Sequence, residues 1–151
     1  MIKILRGFTS VGYVGLIPGA PGTYGSVVAL ILAFFWNEHV TSNPLITAGL
    51  IILLSILGIL ASSAVAKSQG IEDPGEIVID ELVGQWIAVL AIPAHWEFWL
   101  AAFILFRIFD IWKPWLIDKV QNLHGGLGIM LDDILAGLFA LIIVQGAAAI
   151  L

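Results

Sequence analysis

Apolar residues fall into five runs along the chain, at roughly 24–40, 45–66, 77–94, 97–116 and 129–151, with short polar stretches between them. A helix needs about 20 mostly apolar residues to cross a bilayer, so each run predicts a helix of spanning or near-spanning length. The second run is the cleanest, with no charged residue between Leu45 and Ala66. The first is the weakest, because its uninterrupted apolar core, Val27 to Trp36, is short for a span. Tilt, or the apolar residues before Pro18, would have to complete it. No internal repeat or low-complexity linker divides the chain. The expected fold is all-α: a polytopic membrane helical bundle of about five transmembrane segments, the first short or broken, forming one domain over residues 1–151.

Composition agrees with the pattern. Hydrophobic residues make up 60% of the 151 and charged residues 11%, whereas about a quarter of a soluble protein is charged. Absence of cysteine excludes disulfides, thiolate metal sites and a cysteine nucleophile. Met1 to Gly15 carries Lys3 and Arg6 without a long apolar core or small-residue cleavage site, so no removable signal peptide is expected. The net charge of −5 comes from local acid clusters, which gives no reason to expect a nucleic-acid partner. Trp36, Trp96, Trp112 and Trp115 stand near span ends, as an interfacial aromatic belt would place them.

Five spans put Lys3, Arg6, Lys67, Arg107, Lys113 and Lys119 on one side, which the positive-inside rule makes cytoplasmic. The same topology brings Asp80-Glu81, the stretch Arg107 to Lys113, and Asp132-Asp133 to that face at similar depth. Gly84, Ala88, Ala136, Gly137 and Ala140 would let the helices that carry them approach closely.

Charges at membrane depth are expensive and persist mainly where they pair or serve a site. Arg107, Asp110 and Lys113 recur every three residues, so a helix presents them on roughly one face. Asp80, Glu81, Asp110, Asp132 and Asp133 form a set of hard oxygen donors suited to a divalent cation such as Mg²⁺. Their simpler role is to cap helix starts, which suits Asp80 or Asp132 alone but not doublets at two starts with Asp110 at a helix end. Arg107 and Lys113 are candidate phosphate partners, and snorkelling to the interface is the alternative for Lys113. Pro18 to Ser26 reads as a glycine-rich loop before the first span, with Thr23 or Ser26 available to cap the helix or touch a phosphate. His124, followed by Gly125-Gly126, is a candidate acid–base group because Asp132-Asp133 follow closely.

In order, these blocks resemble the phosphatidylglycerophosphatase A family of bacterial membrane lipid phosphatases. The matching residues are Pro21-Gly22-Thr23 with Gly25-Ser26, Ile77 to Glu81 with Gly84, Phe106-Arg107 with Asp110 and Lys113-Pro114-Trp115, and His124 to Gly126 through Gly128-Ile129-Met130 to Asp132-Asp133 and Ala136-Gly137. Leu116 departs from the family, which often continues Trp-Pro, but removes no polar group. The resemblance implies Mg²⁺-dependent hydrolysis of the terminal phosphate of phosphatidylglycerophosphate at the cytoplasmic face of the bacterial inner membrane. Asp80, Glu81, Asp110, Asp132 and Asp133 would hold metal, Arg107, Lys113, Thr23 and Ser26 would bind substrate, and Asp80, Asp132, Asp133 and His124 would be catalytic. The expected partner is an anionic phospholipid, with self-association left open.

Three other classes make different demands on the sequence. A transporter would need a route to the other side, and the charged cluster is not expected to continue through the far half of spans three to five. A CDP-alcohol phosphotransferase would need an Asp-x-x-Asp-Gly motif, which is missing. A noncatalytic lipid-binding subunit would tolerate loss of Mg²⁺ and of the carboxylates.

Overall fold

The protein was analysed as a computed structural model that describes residues 1–150. Seven α-helices occur among these residues, with no strand: α1 (Ile2–Thr9), α2 (Pro21–His39), α3 (Pro44–Gln69), α4 (Ile79–Ala88), α5 (Trp96–Trp112), α6 (Leu116–Gln121) and α7 (Gly126–Ala148). Local chemistry sets several of the boundaries. Pro21 and Pro44 occupy first-turn positions, where a missing N–H costs nothing. Asn43 caps α3 by accepting from Leu45 N at 2.9 Å. At the other end of α3, Gly70 takes the left-handed conformation (φ 68°) that stops a helix. Pro114 disfavours helical backbone at Lys113, so α5 ends at Trp112.

Two helices, α3 and α7, are long and apolar enough to cross a membrane. Five spans are not confirmed. The run expected at 77–94 forms only the 10-residue α4, about 15 Å long, half the thickness of a bilayer's hydrocarbon core. Helix α5 has 17 residues, and α2 is apolar only between Pro21–Ser26 and Asn37–His39. The outward surface is nevertheless apolar. Phe34, Phe35, Ile52, Leu53, Ile56, Leu60, Ile104, Ile108 and Ile142 are all exposed, a surface suited to contact with lipid.

Helix α4 is the inner element, buried along most of its length against α7, α2 and α5. Its junction with α7 depends on two glycines. A Cβ on Gly84 would lie 2.6 Å from Asp133 O, and one on Gly137 would strike Gly84 O. Helix α4 ends inside the protein, where free carbonyls are costly. The following turn meets part of that need, Val89 N donating to Gln85 O at 3.2 Å and Leu90 N to Ile87 O at 3.0 Å. Gln145 of α7 ties down the segment after the helix, its amide donating to Leu90 O at 3.3 Å and Ala91 O at 2.7 Å.

One end of the bundle gathers α1, the C-terminus of α3, the start of α4, the end of α5, α6 and the start of α7. Arg6 of α1 donates from Nε to Glu76 Oε1 at 2.7 Å, and Gln69 of α3 donates to the same oxygen at 2.6 Å. Val78 N donates to Thr9 O at 2.9 Å, which completes a clamp on the segment before Asp80. The Arg6 guanidinium holds the Glu76 carboxyl below its ordinary pKa of 4.5. At the opposite end, Trp36 Nε1 donates to Thr47 Oγ1 at 3.0 Å, joining α2 to α3.

Candidate active site

The gathered end carries the charges singled out in the sequence. Asp80 and Glu81 open α4, and Asp133 comes from the second turn of α7. The α4–α7 glycine contact lets the two backbones close until carboxylate oxygens of Asp80, Glu81 and Asp133 lie within 4.8 Å of one another. Asp133 is 2% exposed. Asp80 Oδ1, Glu81 Oε2 and Asp133 Oδ2 are each shielded from solvent without a hydrogen-bond partner. Three carboxylates with unmet oxygens repel one another in a site of low polarisability unless a cation or protons offset them. Their hard donor set and spacing fit a divalent cation.

Asp110 and Asp132 stand beside this trio in ion pairs. Arg107 Nη1 bonds to Asp110 Oδ2, and Lys113 Nζ to Asp132 Oδ2. The charge of Asp110 still acts on both Glu81 and Asp133. Asp132 Oδ1 accepts from Asp133 N at 3.0 Å, which fixes the first carboxylate of the doublet.

Thr23 and Ser26 lie in the first two turns of α2, not in the loop expected from the sequence. Both reach the Arg107 guanidinium: Nη1 donates to Ser26 Oγ at 3.2 Å and Nη2 to Thr23 Oγ1 at 3.4 Å. Ser26 Oγ in turn donates to Gly22 O at 2.8 Å. A Cβ on Gly22 would run into Glu81 Oε1 and lie 3.4 Å from Arg107 Nη1, so a side chain there would displace the Glu81 carboxylate. The glycine-rich segment thus presses the N-terminal end of α2 against the carboxylates and the arginine together. Arg107 keeps a buried Nε–H without a partner.

His124 is separate from the trio. It is exposed on the turn between α6 and α7, where Gly125 takes φ 69° and Gly126 N donates to Ser63 Oγ at 2.8 Å. With Lys113 and Asp132 it lines a cavity of about 440 Å³, and Glu72 and Asp73 border the same space. Sequence reasoning did not single out Gln85, which is 0% exposed on α4. The available signal was a lone amide one helical turn after Glu81 in an otherwise apolar run.

An apolar-faced helical bundle with three buried carboxylates and a braced arginine at one end is the equipment of a membrane-associated phosphatase. Residues 7–148 match the family described as Phosphatidylglycerophosphatase A. The chain is 43% identical over 129 residues to the phosphatidylglycerophosphatase A of Escherichia coli, covering 83% of this chain and 73% of that protein. It is 42% identical over 134 residues to the Haemophilus influenzae protein of the same name, covering 86% and 80%. A Bacteroides thetaiotaomicron protein, provisionally named a phosphatidylinositol-3-phosphatase, is 42% identical over 138 residues, covering 88% and 86%. No solved structure matches. The chain belongs to the phosphatidylglycerophosphatase A family, and it is an enzyme of the phosphatase class.

Proposed function

We propose that this protein removes the terminal phosphate of phosphatidylglycerophosphate with the help of Mg²⁺, at the cytoplasmic leaflet of the bacterial inner membrane. The observation that carries this reading is the carboxylate trio beside an arginine fork, in a chain of this family. Asp80, Glu81 and Asp133 would hold the cation, with Asp110 and Asp132 as nearby reserves of negative charge. When bound, Mg²⁺ supplies polarisation of the phosphoryl group and stabilises charge on the leaving oxygen.

The remaining work falls to side chains. Arg107 presents a planar fork to phosphate oxygens, and Thr23 and Ser26 hold that fork at a fixed angle, so little reorganisation is needed as charge develops. Lys113 stands with Asp132 on the wall of the 440 Å³ cavity, where it offers an anionic headgroup a compact positive charge. Water reaches the phosphorus from that cavity. His124 on its wall would take a proton from the attacking water. The collection of Lys and Arg around this end supports the cytoplasmic orientation. An anionic phospholipid is the partner that an apolar exterior and a charged site serve together.

The test is phosphate release from phosphatidylglycerophosphate by the detergent-purified protein, with Mg²⁺ and with EDTA. Phosphatidylinositol 3-phosphate is offered in parallel because of the Bacteroides relative. Release that requires Mg²⁺ and favours phosphatidylglycerophosphate is expected. Release undiminished by EDTA, or confined to the phosphoinositide, would refute the proposal.

A further inference from the structure

Gln85 is the buried polar side chain near the site that the reading above does not use. It is 0% exposed, and neither its amide nitrogen nor its amide oxygen has a hydrogen-bond partner. A buried amide with no partner costs stability, so an apolar residue of similar size would serve the fold better.

Its position suggests what completes it. Gln85 lies four residues after Glu81 on α4, hence on the same face and about 6 Å deeper along the axis. Long helical side chains lie back over the preceding turn, which here is the turn of Glu81. Glu81 itself abuts Gly22 of α2 and faces Arg107 of α5. Arg107 Nε is a second buried donor without a partner. The adjacent Gly84 is pressed against Asp133 O and Phe106. Gln85 therefore lies one helical turn beyond Glu81, and it is not among the residues that line the cavity of His124 and Lys113.

We infer that Gln85 is a specificity-determining residue that hydrogen-bonds a hydroxyl on the alcohol portion of the lipid phosphate. This rests on the proposed phosphatase reading. A phosphate oxygen would satisfy only the amide N–H groups and leave Oε1 bare. A hydroxyl both donates and accepts, so it can engage Oε1 or Nε2 with either sense of bond. Geometry points the same way. With water arriving from the cavity side, as proposed above, the group leaving in line with it points away from that cavity, which Gln85 does not line. In phosphatidylglycerophosphate that leaving alcohol is a glycerol bearing one free hydroxyl.

The experiment uses full-length Gln85→Met and Gln85→Leu, assayed in mixed micelles on phosphatidylglycerophosphate and on the analogue whose headgroup lacks the free hydroxyl. Melting without lipid and the Mg²⁺ concentration for half-maximal rate are measured beside it. The wild type is expected to prefer the hydroxylated lipid by about tenfold in kcat/KM, the worth of one good hydrogen bond. Gln85→Met is expected to lose about tenfold on that lipid and little on the analogue, with unchanged Mg²⁺ dependence and a melting temperature no lower than wild type. Equal losses on both lipids with a lowered melting temperature would make Gln85 a structural residue and overturn the inference. A shift in Mg²⁺ dependence would make it a metal ligand and overturn it equally, as would full activity with preference retained. Failure of both variants to fold would count against it too. A wild type inactive on both lipids would remove the phosphatase reading underneath.

Discussion

Gly84→Ala is the substitution that most directly separates the two halves of the site. Its new Cβ would lie 2.5 Å from Phe106 Cε2 and 2.6 Å from Asp133 O. The phenyl ring can turn aside, but the α7 backbone cannot. Ordinary contact lies near 3.5 Å, so α4 and α7 must separate by roughly 0.9 Å. Asp80 and Glu81 move with α4 and Asp133 with α7, so the gap opens across the carboxylate trio. Overpacking of this kind costs about 1–3 kcal/mol, which most folded proteins survive. A misplacement of about 1 Å at a reacting centre costs on the order of a hundredfold in rate. The variant is therefore expected to purify folded, melt a few degrees lower, and lose about a hundredfold in kcat/KM, with more Mg²⁺ needed for half-maximal rate. Phosphate-release kinetics across a Mg²⁺ titration, beside a melting curve, read both effects. A Gly84→Ala protein with wild-type rate and wild-type Mg²⁺ dependence would refute the claim that this helix contact sets the metal spacing.

Three further substitutions probe other parts of the account. Arg107→Lys keeps the charge but loses the fork held by Thr23 and Ser26; a loss of about a hundredfold in kcat/KM is expected, and a loss under threefold would argue that the charge alone matters. Gln145→Leu removes the tie between α7 and the Leu90 and Ala91 carbonyls just after α4 and should destabilise by about 0.5–1.5 kcal/mol while leaving the Mg²⁺ dependence unchanged, as denaturation and rate measurements would show. Glu76 has a folded pKa below its ordinary 4.5 because Arg6 bonds to it. Its contribution is thus fully present above 4.5 and lost as pH falls through the lower folded value. Wild-type melting should accordingly decline below about pH 4.5 more steeply than that of Glu76→Gln, and superimposable curves would refute a role for the clamp.

Much of the site was legible because charge is conspicuous in an apolar chain. Asp80, Glu81, Asp133 and Arg107 stood out for the cost of placing them there, and the topology brought them to one end. Their division of labour was not legible. Whether Asp110 and Asp132 join the trio or pair with Arg107 and Lys113 depends on side-chain reach across three helices, which spacing alone does not encode. The break after Ala88 was hidden for a similar reason. After Asp80 and Glu81 the run 77–94 is apolar apart from Gln85, with no breaker before Pro93, and the segment that follows Ala88 is held by an amide more than 50 residues away, Gln145. Pro-Gly pairs usually mark turns, so the sequence pattern predicts a loop at Thr23 and Ser26. Here Pro21 begins the helix, and Gly22 is required by the close approach of Glu81.

The most direct measurement is the melting temperature of the wild type and of Asp80→Asn/Glu81→Gln/Asp133→Asn, each with and without Mg²⁺ and without substrate. If the trio holds the ion, Mg²⁺ raises wild-type stability by about 2.7 kcal/mol at a hundred times its dissociation constant and leaves the triple variant unmoved. The variant without Mg²⁺ should melt above the metal-free wild type, because three mutually repelling buried charges are gone. An equal Mg²⁺ shift in both proteins would contradict the assignment of the metal to Asp80, Glu81 and Asp133.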